Sequence, residues 1–175
     1  DSLRNNADKL IKNLHAQHIK CHMLTGDASN SGERLAKQLN LDTVHAGCSP
    51  QDKQTHVDAL ASKGAVVAMV GDGVNDSPVF ASAHLSIAME TGADISKNSA
   101  DVVLLNSDLS AIEHLLSVSK KTRRIVKQNL ALSLIYNGSI LPLAALGLVA
   151  PWMAVIGMSA SSILVITNSL RLLKL

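Results

Sequence analysis

The sequence predicts a parallel α/β sheet domain followed by a two-helix transmembrane hairpin, and two observations support this organisation. From residue 1 to about residue 127, charged and apolar residues alternate in segments whose lengths suit strands and helices. From Leu130 to Leu170 the chain contains no Asp, Glu, Lys, Arg or His. We therefore expect a water-exposed domain and a membrane-inserted segment, rather than one common hydrophobic core.

In the first part, short apolar runs alternate with stretches of helical periodicity, as βαβ units require. Helices are predicted over residues 6–17, 29–39 and 51–62, with Pro50 at the first position of the last one. Strands are predicted at 19–25, around Val44, and at 65–70, 85–89 and 101–105. The run AVVAMV at 65–70 has no polar residue, so we expect both of its faces to be covered.

Composition excludes some classes of function. A formal net charge of +2 and one each of Trp, Tyr and Phe give little basis for nucleic-acid binding. Cys21 and Cys48 lie far apart without a CxxC spacing, so we predict neither a zinc site nor a disulfide. The histidines show no ligand spacing, and we expect them to be surface or structural residues.

Two predicted strands end in Gly-Asp, at LTGD (24–27) and VGDG (70–73). Open parallel sheets bind ligands beyond the carboxyl ends of their strands, so the two aspartates are predicted to share one crevice. Carboxylates that lie close together there favour Mg²⁺, and Lys53 at a predicted helix start could neutralise a phosphoryl oxygen. The alternative is that each Gly-Asp is an ordinary turn.

The motifs MLTGD, SPQDK, MVGDGVNDSP and IAMETGADISKNSADVVLL occur in this order and resemble the phosphorylation domain of P-type ATPases. That domain has a haloacid-dehalogenase-like fold. The resemblance implies ATP and Mg²⁺ as cofactors, with Asp72 as a Mg²⁺ ligand and Asn75 and Asp76 in the metal and phosphate network. It further implies that Thr25 hydrogen-bonds an aspartyl phosphate. Gly26 and Asp27 would lie near the nucleotide and phosphate, and Lys53 would neutralise the transferring group.

The family's nucleophile is the Asp of Asp-Lys-Thr-Gly-Thr, and this motif is absent from the sequence. We therefore expect the chain not to phosphorylate itself. Asp1 replaces a starting Met, so we expect a piece of a longer pump polypeptide. The alternative, which the missing nucleophile favours, is a non-catalytic membrane-anchored domain that binds Mg²⁺ and phosphate.

The uncharged segment is long enough for two spans of about 20 residues each. The predicted organisation is a partial phosphorylation domain at 1–118, a basic linking helix at 119–129, and transmembrane helices at 130–149 and 151–172. GLVAPWM (147–153) is predicted to form the turn, with Pro151 breaking the helix. Basic residues flank the uncharged segment on both sides, which predicts cytoplasmic ends. They are Lys120, Lys121, Arg123, Arg124 and Lys127 before it, and Arg171 and Lys174 after it.

Polar residues within the predicted spans raise the question of an ion pathway. Tyr136 and Asn137 lie in the first span, and Met158 and Ser162 lie four residues apart on the second. A thioether suits a soft ion such as Cu⁺, whereas small residues and Met are also common in helix packing, so both readings stay open. Asn168 is open in the same way.

These two spans resemble the last two helices of copper-transporting P-type ATPases, which implies that Tyr136, Asn137, Met158 and Ser162 bind the transported Cu⁺. A zinc or cadmium pump of the same superfamily is the near alternative, but it would place an Asp in the last helix, and none occurs here. The resemblance implies a multi-pass protein of the bacterial cytoplasmic membrane. Its partners would be membrane lipid, the rest of the pump, and a cytosolic copper chaperone or a copper acceptor.

Overall fold

The computed structural model describes residues 3–71, 77–89, 100–106 and 108–174. The chain divides into two compact units, Asp1–Glu113 and His114–Leu175. The predicted boundary between the sheet domain and the linking helix, at 118/119, stays a prediction.

The first unit alternates strands and helices as predicted. Its helices in the described residues are α1 (Ala7–Ala16), α2 (Ser31–Leu39), α3 (Pro50–Ser62) and α4 (Ser77–Ser82). Its strands in the same ranges are β1 (His22–Leu24), β2 (Thr43–His45), β3 (Ala68–Gly71), β4 (Leu85–Met89) and β5 (Val102–Leu104). Helix α1 buries Ala7 and Leu10, three residues apart and thus on one face, as the predicted periodicity requires.

The strands form two parallel sheets. β1 pairs with β2, in a register that sets His22 opposite Thr43 and Leu24 opposite His45. β4 lies between β3 and β5 in the second sheet. The predicted parallel pairing is confirmed within each sheet, but no hydrogen-bonded ladder joins β1 to β3 among the described residues.

The core of this unit lies around β4. Ser86, Ile87, Ala88 and Met89 are all at most 3% exposed, because β4 has a neighbour on each side. The expectation that residues 65–70 are covered on both faces is wrong. Val66 is 86% and Val70 40% exposed, since β3 is an outer strand of its sheet in the part of the chain that the structure describes.

The second unit is built on two helices, and the first of them begins within the first unit, at Ser110. Helix α5 spans Ser110–Ala145, and α6 spans Pro151–Ser169, followed by a 3₁₀ turn at Leu170–Lys174. Residues 146–149 of the predicted first span therefore lie beyond the end of its helix. Pro151 begins α6, where its missing N–H needs no partner, so its predicted role as a helix breaker is wrong.

In the described residues, one helix is both long and apolar enough to cross a membrane, namely Pro151–Leu173 with a mean hydropathy of 1.6. The predicted two-helix hairpin is thus shown only in part. Large apolar side chains on both helices are nevertheless exposed by 60% or more, as lipid or further protein would require. Examples are Leu134 and Ile135 on α5 and Val155 and Ile163 on α6.

Candidate functional site

The turn Thr25-Gly26-Asp27 follows β1 directly. The Thr25 hydroxyl oxygen accepts a hydrogen bond from the Asp27 N–H at 3.1 Å. Because the hydroxyl acts as an acceptor in this bond, its proton can be donated to a ligand. The Thr25 methyl group lies near α2, where a Cβ added to Gly32 would be 3.2 Å from it. A glycine at this position therefore lets the helix start close to the turn.

The Asp27 carboxylate is held by two serines. It accepts hydrogen bonds from the Ser29 N–H at 2.8 Å and from the hydroxyls of Ser29 and Ser31, each at 2.7 Å. These bonds, led by that of the Ser29 hydroxyl, lower the pKa of Asp27 from 3.8 to about 2. Asp27 is thus a fixed and exposed negative charge at neutral pH.

Backbone hydrogen bonds tie this turn to the loop after β2. The Thr25 N–H donates to the His45 carbonyl at 3.0 Å, and the Cys48 N–H donates to the Thr25 carbonyl at 2.9 Å. Gly47, with φ of +68°, donates its N–H to the Asp27 carbonyl at 3.2 Å. The loop that leads into α3 is therefore fixed against the Thr-Gly-Asp turn.

Helix α3 starts with a complete capping box. The Ser49 hydroxyl accepts the Asp52 N–H at 3.2 Å, and the Asp52 carboxylate accepts the Ser49 N–H at 2.9 Å. The hydrogen bond from the Ser49 hydroxyl, followed by that from its backbone, lowers the pKa of Asp52. Lys53 follows this box directly and is half-buried, so its backbone position is set by the cap.

The structure brings Thr25, Gly26 and Asp27 together with the α3 start that carries Lys53. The predicted residues Asp72, Asn75 and Asp76 lie outside the described residues. Gly71, which precedes them, ends β3 beside Ala88 of β4. That Asp27 and Asp72 share one crevice stays a prediction.

In the second unit, Tyr136 lies against α6. Its hydroxyl donates a long hydrogen bond of 3.4 Å to the Ala154 carbonyl. A Cβ added to Gly157 would lie 2.9 Å from the Tyr136 hydroxyl oxygen and 3.1 Å from Cε2 of its ring. The tyrosine therefore occupies the space that the glycine leaves.

The other predicted ion-site residues do not lie in this contact. Asn137, Met158 and Ser162 are exposed, and Met158 is 63% exposed. The Ser162 hydroxyl donates to the Met158 carbonyl at 3.0 Å within α6, as helical serines often do.

Amide side chains from the middle of α5 and the end of α6 form a hydrogen-bonded cluster. The Asn168 amide donates to the Asn129 side-chain oxygen at 2.8 Å and to that of Gln128 at 3.3 Å. The Asn129 amide donates to the Ser169 hydroxyl at 2.9 Å, and Arg171 donates to the Asn168 oxygen at 3.0 Å. Asn168 therefore holds α5 and α6 together in this structure.

Sequence reasoning missed a cluster of three imidazoles. The His56 Nε2 and His22 Nδ1 atoms are 3.3 Å apart, and the His45 and His56 ring centres are 4.7 Å apart. Burial, followed by repulsion from His45 and His22, lowers the pKa of His56. Two sequence signals point to this face. His22 and His45 lie on paired parallel strands, and His56 follows on the next helix.

A buried serine on β4 was also missed. Ser86 is 2% exposed, and its hydroxyl and N–H donate to the Asp101 carboxylate at 2.7 and 2.8 Å. These bonds, led by that of the hydroxyl, lower the pKa of Asp101. The Asp101 carboxylate thus provides hydrogen-bond acceptors for the buried Ser86 hydroxyl and N–H. The two residues also fix the start of β5 beside β4, so their role is structural.

Comparison with known proteins identifies relatives of this chain. The family described as haloacid dehalogenase-like hydrolase matches residues 1–84. The chain is 43% identical over all its 175 residues to a copper-exporting P-type ATPase of Staphylococcus aureus strain bovine RF122 / ET3-1, and covers 22% of that protein.

Two solved structures extend the comparison. A zinc-transporting PIB-type ATPase in the E2.Pi state matches 99% of the chain with 35% identity and a TM-score of 0.93, over 28% of its own length. The catalytic domain of the CPx-ATPase CopB-B matches 66% of the chain with 36% identity and a TM-score of 0.62, over 46% of its length.

The fold and the Thr-Gly-Asp turn thus define a haloacid-dehalogenase-like domain attached to apolar helices. More particularly, the chain belongs to the CPx-type P-type ATPases. It spans about a fifth of the length of the curated relatives that it matches.

Proposed function

We propose that this chain is part of an ATP-driven pump that exports Cu⁺ from the cytoplasm through an aspartyl-phosphate intermediate. The observation that carries the proposal is the 43% identity to copper exporters, which runs through both units of the chain. The chain would provide most of the phosphorylation domain and the last two membrane helices. It would be inactive alone, because it lacks the phosphorylated Asp.

In this proposal the Thr25 hydroxyl donates to a phosphoryl oxygen and Lys53 neutralises its charge. The fixed link between the Thr-Gly-Asp turn and the α3 start supports a joint role for these two residues. Asp27 is ionised, so it would repel a phosphate group and would not bind one directly. Its role would be to orient Ser29 and Ser31, and with them the part of the turn that lies near the nucleotide. Positioning and charge compensation are the main tasks in phosphoryl transfer.

The carboxylates of Asp72 and Asp76 and the amide of Asn75 are the oxygen donors that Mg²⁺ prefers. When bound, Mg²⁺ would neutralise charge on the transferring phosphoryl group. We further propose that a strand carrying the nucleophilic Asp lies between β1 and β3 in the longer polypeptide. Neither strand pairs with the other in the described residues, and a Gly-Asp pair stands at the carboxyl end of each.

The membrane part of the proposal places Tyr136, Asn137, Met158 and Ser162 in a Cu⁺ path that other helices complete. The pump would lie in a bacterial cytoplasmic membrane, with both ends of this segment cytoplasmic. A cytosolic chaperone would deliver the copper, or an acceptor would receive it. The absence of an Asp from α6 favours Cu⁺ over Zn²⁺ or Cd²⁺.

The test uses the longer pump in membrane vesicles, with ATP hydrolysis and phosphoenzyme measured against added metal. Cu⁺ should stimulate both, and Asp72→Ala should abolish phosphoenzyme, whereas Asp58→Asn on the exposed face of α3 should keep it. Phosphoenzyme that persists in Asp72→Ala would refute the site assignment.

A zinc pump is the second candidate, because the solved zinc-transporting ATPase matches 99% of the chain at a TM-score of 0.93. The same vesicles decide between the two. Stimulation by Zn²⁺ without stimulation by Cu⁺ would favour the zinc pump and refute the proposed cargo.

A further inference from the structure

Three different metal-binding side chains meet at the end of the first sheet opposite to the Thr-Gly-Asp turn. His15 lies in the last turn of α1, Cys21 directly precedes β1, and Asp42 directly precedes β2. Because β1 and β2 are parallel, both residues that precede them lie at the same edge of the sheet. This edge is separate from the candidate phosphoryl site, which lies beyond the carboxyl end of β1.

The three potential ligand atoms all lie within 4.8 Å of one another. The His15 Nε2 and Asp42 Oδ2 atoms are 2.9 Å apart, and the same carboxylate oxygen accepts the Cys21 N–H at 2.7 Å. The Cys21 thiol donates a long hydrogen bond of 3.8 Å to the Ile19 carbonyl. In a tetrahedral zinc site such ligand atoms are about 3.4–3.6 Å apart. The His15–Asp42 pair would therefore lengthen from 2.9 Å, and the sulfur would move into the same range from a distance of at most 4.8 Å.

We propose that His15, Cys21 and Asp42 bind a divalent ion of the zinc class. A thiolate, an imidazole and a carboxylate together suit Zn²⁺, whereas Mg²⁺ prefers oxygen ligands alone. The thiol proton of Cys21 leaves to solvent, and Asp42 binds as the carboxylate. His15 binds the ion through Nε2, with its ring proton carried on Nδ1. Two negative ligands then balance the double charge of the ion.

Access and a fourth ligand come from the solvent side. The side chains of His15 and Asp42 are 27% and 37% exposed. His15 also lines a cavity of about 400 Å³ between α1 and the end of α2, so a water molecule can reach the fourth position. Cys21 is buried at 8% exposure, which holds its sulfur on the protein side of the ion.

The ion would link α1 to the residues that precede β1 and β2, and it would act as a structural metal of the sheet domain. This proposal does not depend on the transported ion or on phosphorylation. Without the ion, the same residues form a hydrogen-bonded link, so the hydrogen bonds alone do not distinguish the two states. The distinguishing feature is a bond between the metal and the Cys21 sulfur.

The experiment titrates the purified chain of 175 residues in detergent with Co²⁺, a spectroscopic substitute for Zn²⁺. A thiolate-to-Co²⁺ charge-transfer band should appear at one equivalent and disappear when Zn²⁺ is added. The two cysteines of the chain give a matched pair of variants. Cys48→Ser should keep the band, and Cys21→Ser should lose it.

Since Cys21 is buried, its replacement could disturb folding, and two further variants keep the test decisive. His15→Ala and Asp42→Asn retain the thiol, and each should weaken Co²⁺ binding by about tenfold or more. Asp42→Asn keeps an oxygen that can accept the Cys21 N–H. Absence of the band in the unmodified chain, or unchanged affinity in both variants, would overturn the proposal. His56→Ala should leave the band intact, because the three-imidazole cluster offers no sulfur.

Discussion

At the scale of single residues, Asp27 shows how a local sequence sets a charge. The short segment from Asp27 to Ser31 folds back so that two hydroxyls and one N–H meet its carboxylate. Because these bonds favour the ionised form, the folded-state pKa falls to about 2, below the ordinary 3.8. Its contribution to stability is therefore complete above the ordinary value and is lost as the pH falls through about 2.

We predict that Asp27→Asn lowers the midpoint of thermal unfolding at neutral pH, and that this deficit shrinks as the pH falls from about 4 towards about 2. The reason is that the unmodified chain loses its ionised carboxylate over this range, while the variant has none to lose. Calorimetry of both proteins in detergent at several pH values measures the deficit. Asp58→Asn serves as the control on α3, and a pH-independent deficit for Asp27→Asn would contradict the prediction.

At the scale of elements, the contact between α5 and α6 depends on a glycine opposite an aromatic ring. Gly157 leaves room for Tyr136, whose hydroxyl also reaches the Ala154 carbonyl, and the amide cluster around Asn168 joins the same two helices at a separate place. Small residues allow helices to approach closely where no hydrophobic effect drives them together. A single added methyl group is therefore enough to test this contact.

We predict that Gly157→Ala displaces the Tyr136 ring and costs about 1–3 kcal/mol of overpacking, partly offset by the better helix propensity of alanine. Gly138→Ala on α5 is the matched control, since a Cβ there lies more than 4 Å from every described atom outside its own stretch of helix. Unfolding midpoints in detergent should fall for Gly157→Ala and should hold or rise for Gly138→Ala.

A double variant makes the same prediction sharper. Tyr136→Phe removes the hydroxyl oxygen, which would lie only 2.9 Å from the methyl group that alanine adds at position 157. It should therefore restore part of the stability lost in Gly157→Ala. Equal losses in the single and double variants would show that the Tyr136 hydroxyl is not the obstacle.

At the scale of the whole molecule, the sequence changes from charged to uncharged between Lys127 and Leu130. This change indicates where the surface of a membrane would lie along the chain. Four cations of α5 lie on neighbouring positions of one helix face, directly before the uncharged segment. They line a shallow depression of about 540 Å³ together with Gln128 and Ala131. These cations are Lys120, Arg123, Arg124 and Lys127.

We predict that this face binds anionic lipid headgroups, with roughly 1 kcal/mol per cation near the membrane surface. In nanodiscs of the longer pump, Arg123→Gln with Arg124→Gln should reduce the stimulation of ATP hydrolysis by phosphatidylglycerol over phosphatidylcholine. Arg34→Gln with Lys37→Gln removes the same charge from the surface of α2 and should not. Equal stimulation in all variants would exclude a role for headgroup charge at this face.

Much of the fold followed from patterns that are local in the chain. Each of these patterns lies within a short stretch of consecutive residues. They are the helical periodicity of α1, the Ser-Pro start of α3 and the apolar run of β4. The Thr-Gly-Asp turn was predicted for the same reason, because a turn is decided by consecutive residues. The uncharged segment indicated two membrane spans through its composition alone, and among the described residues one helix is long and apolar enough to be one.

The sequence by itself therefore determined the class of the fold, the order of its elements, the family motifs and the position of the apolar segment. Only the tertiary structure decided which distant residues meet: His22 with His56, Tyr136 with Gly157, and His15 with Cys21 and Asp42. It also decided that β3 is partly exposed and that Pro151 starts a helix. The physical reason is that strand pairing and helix packing join side chains far apart in sequence, and a local pattern of residues does not encode those distances.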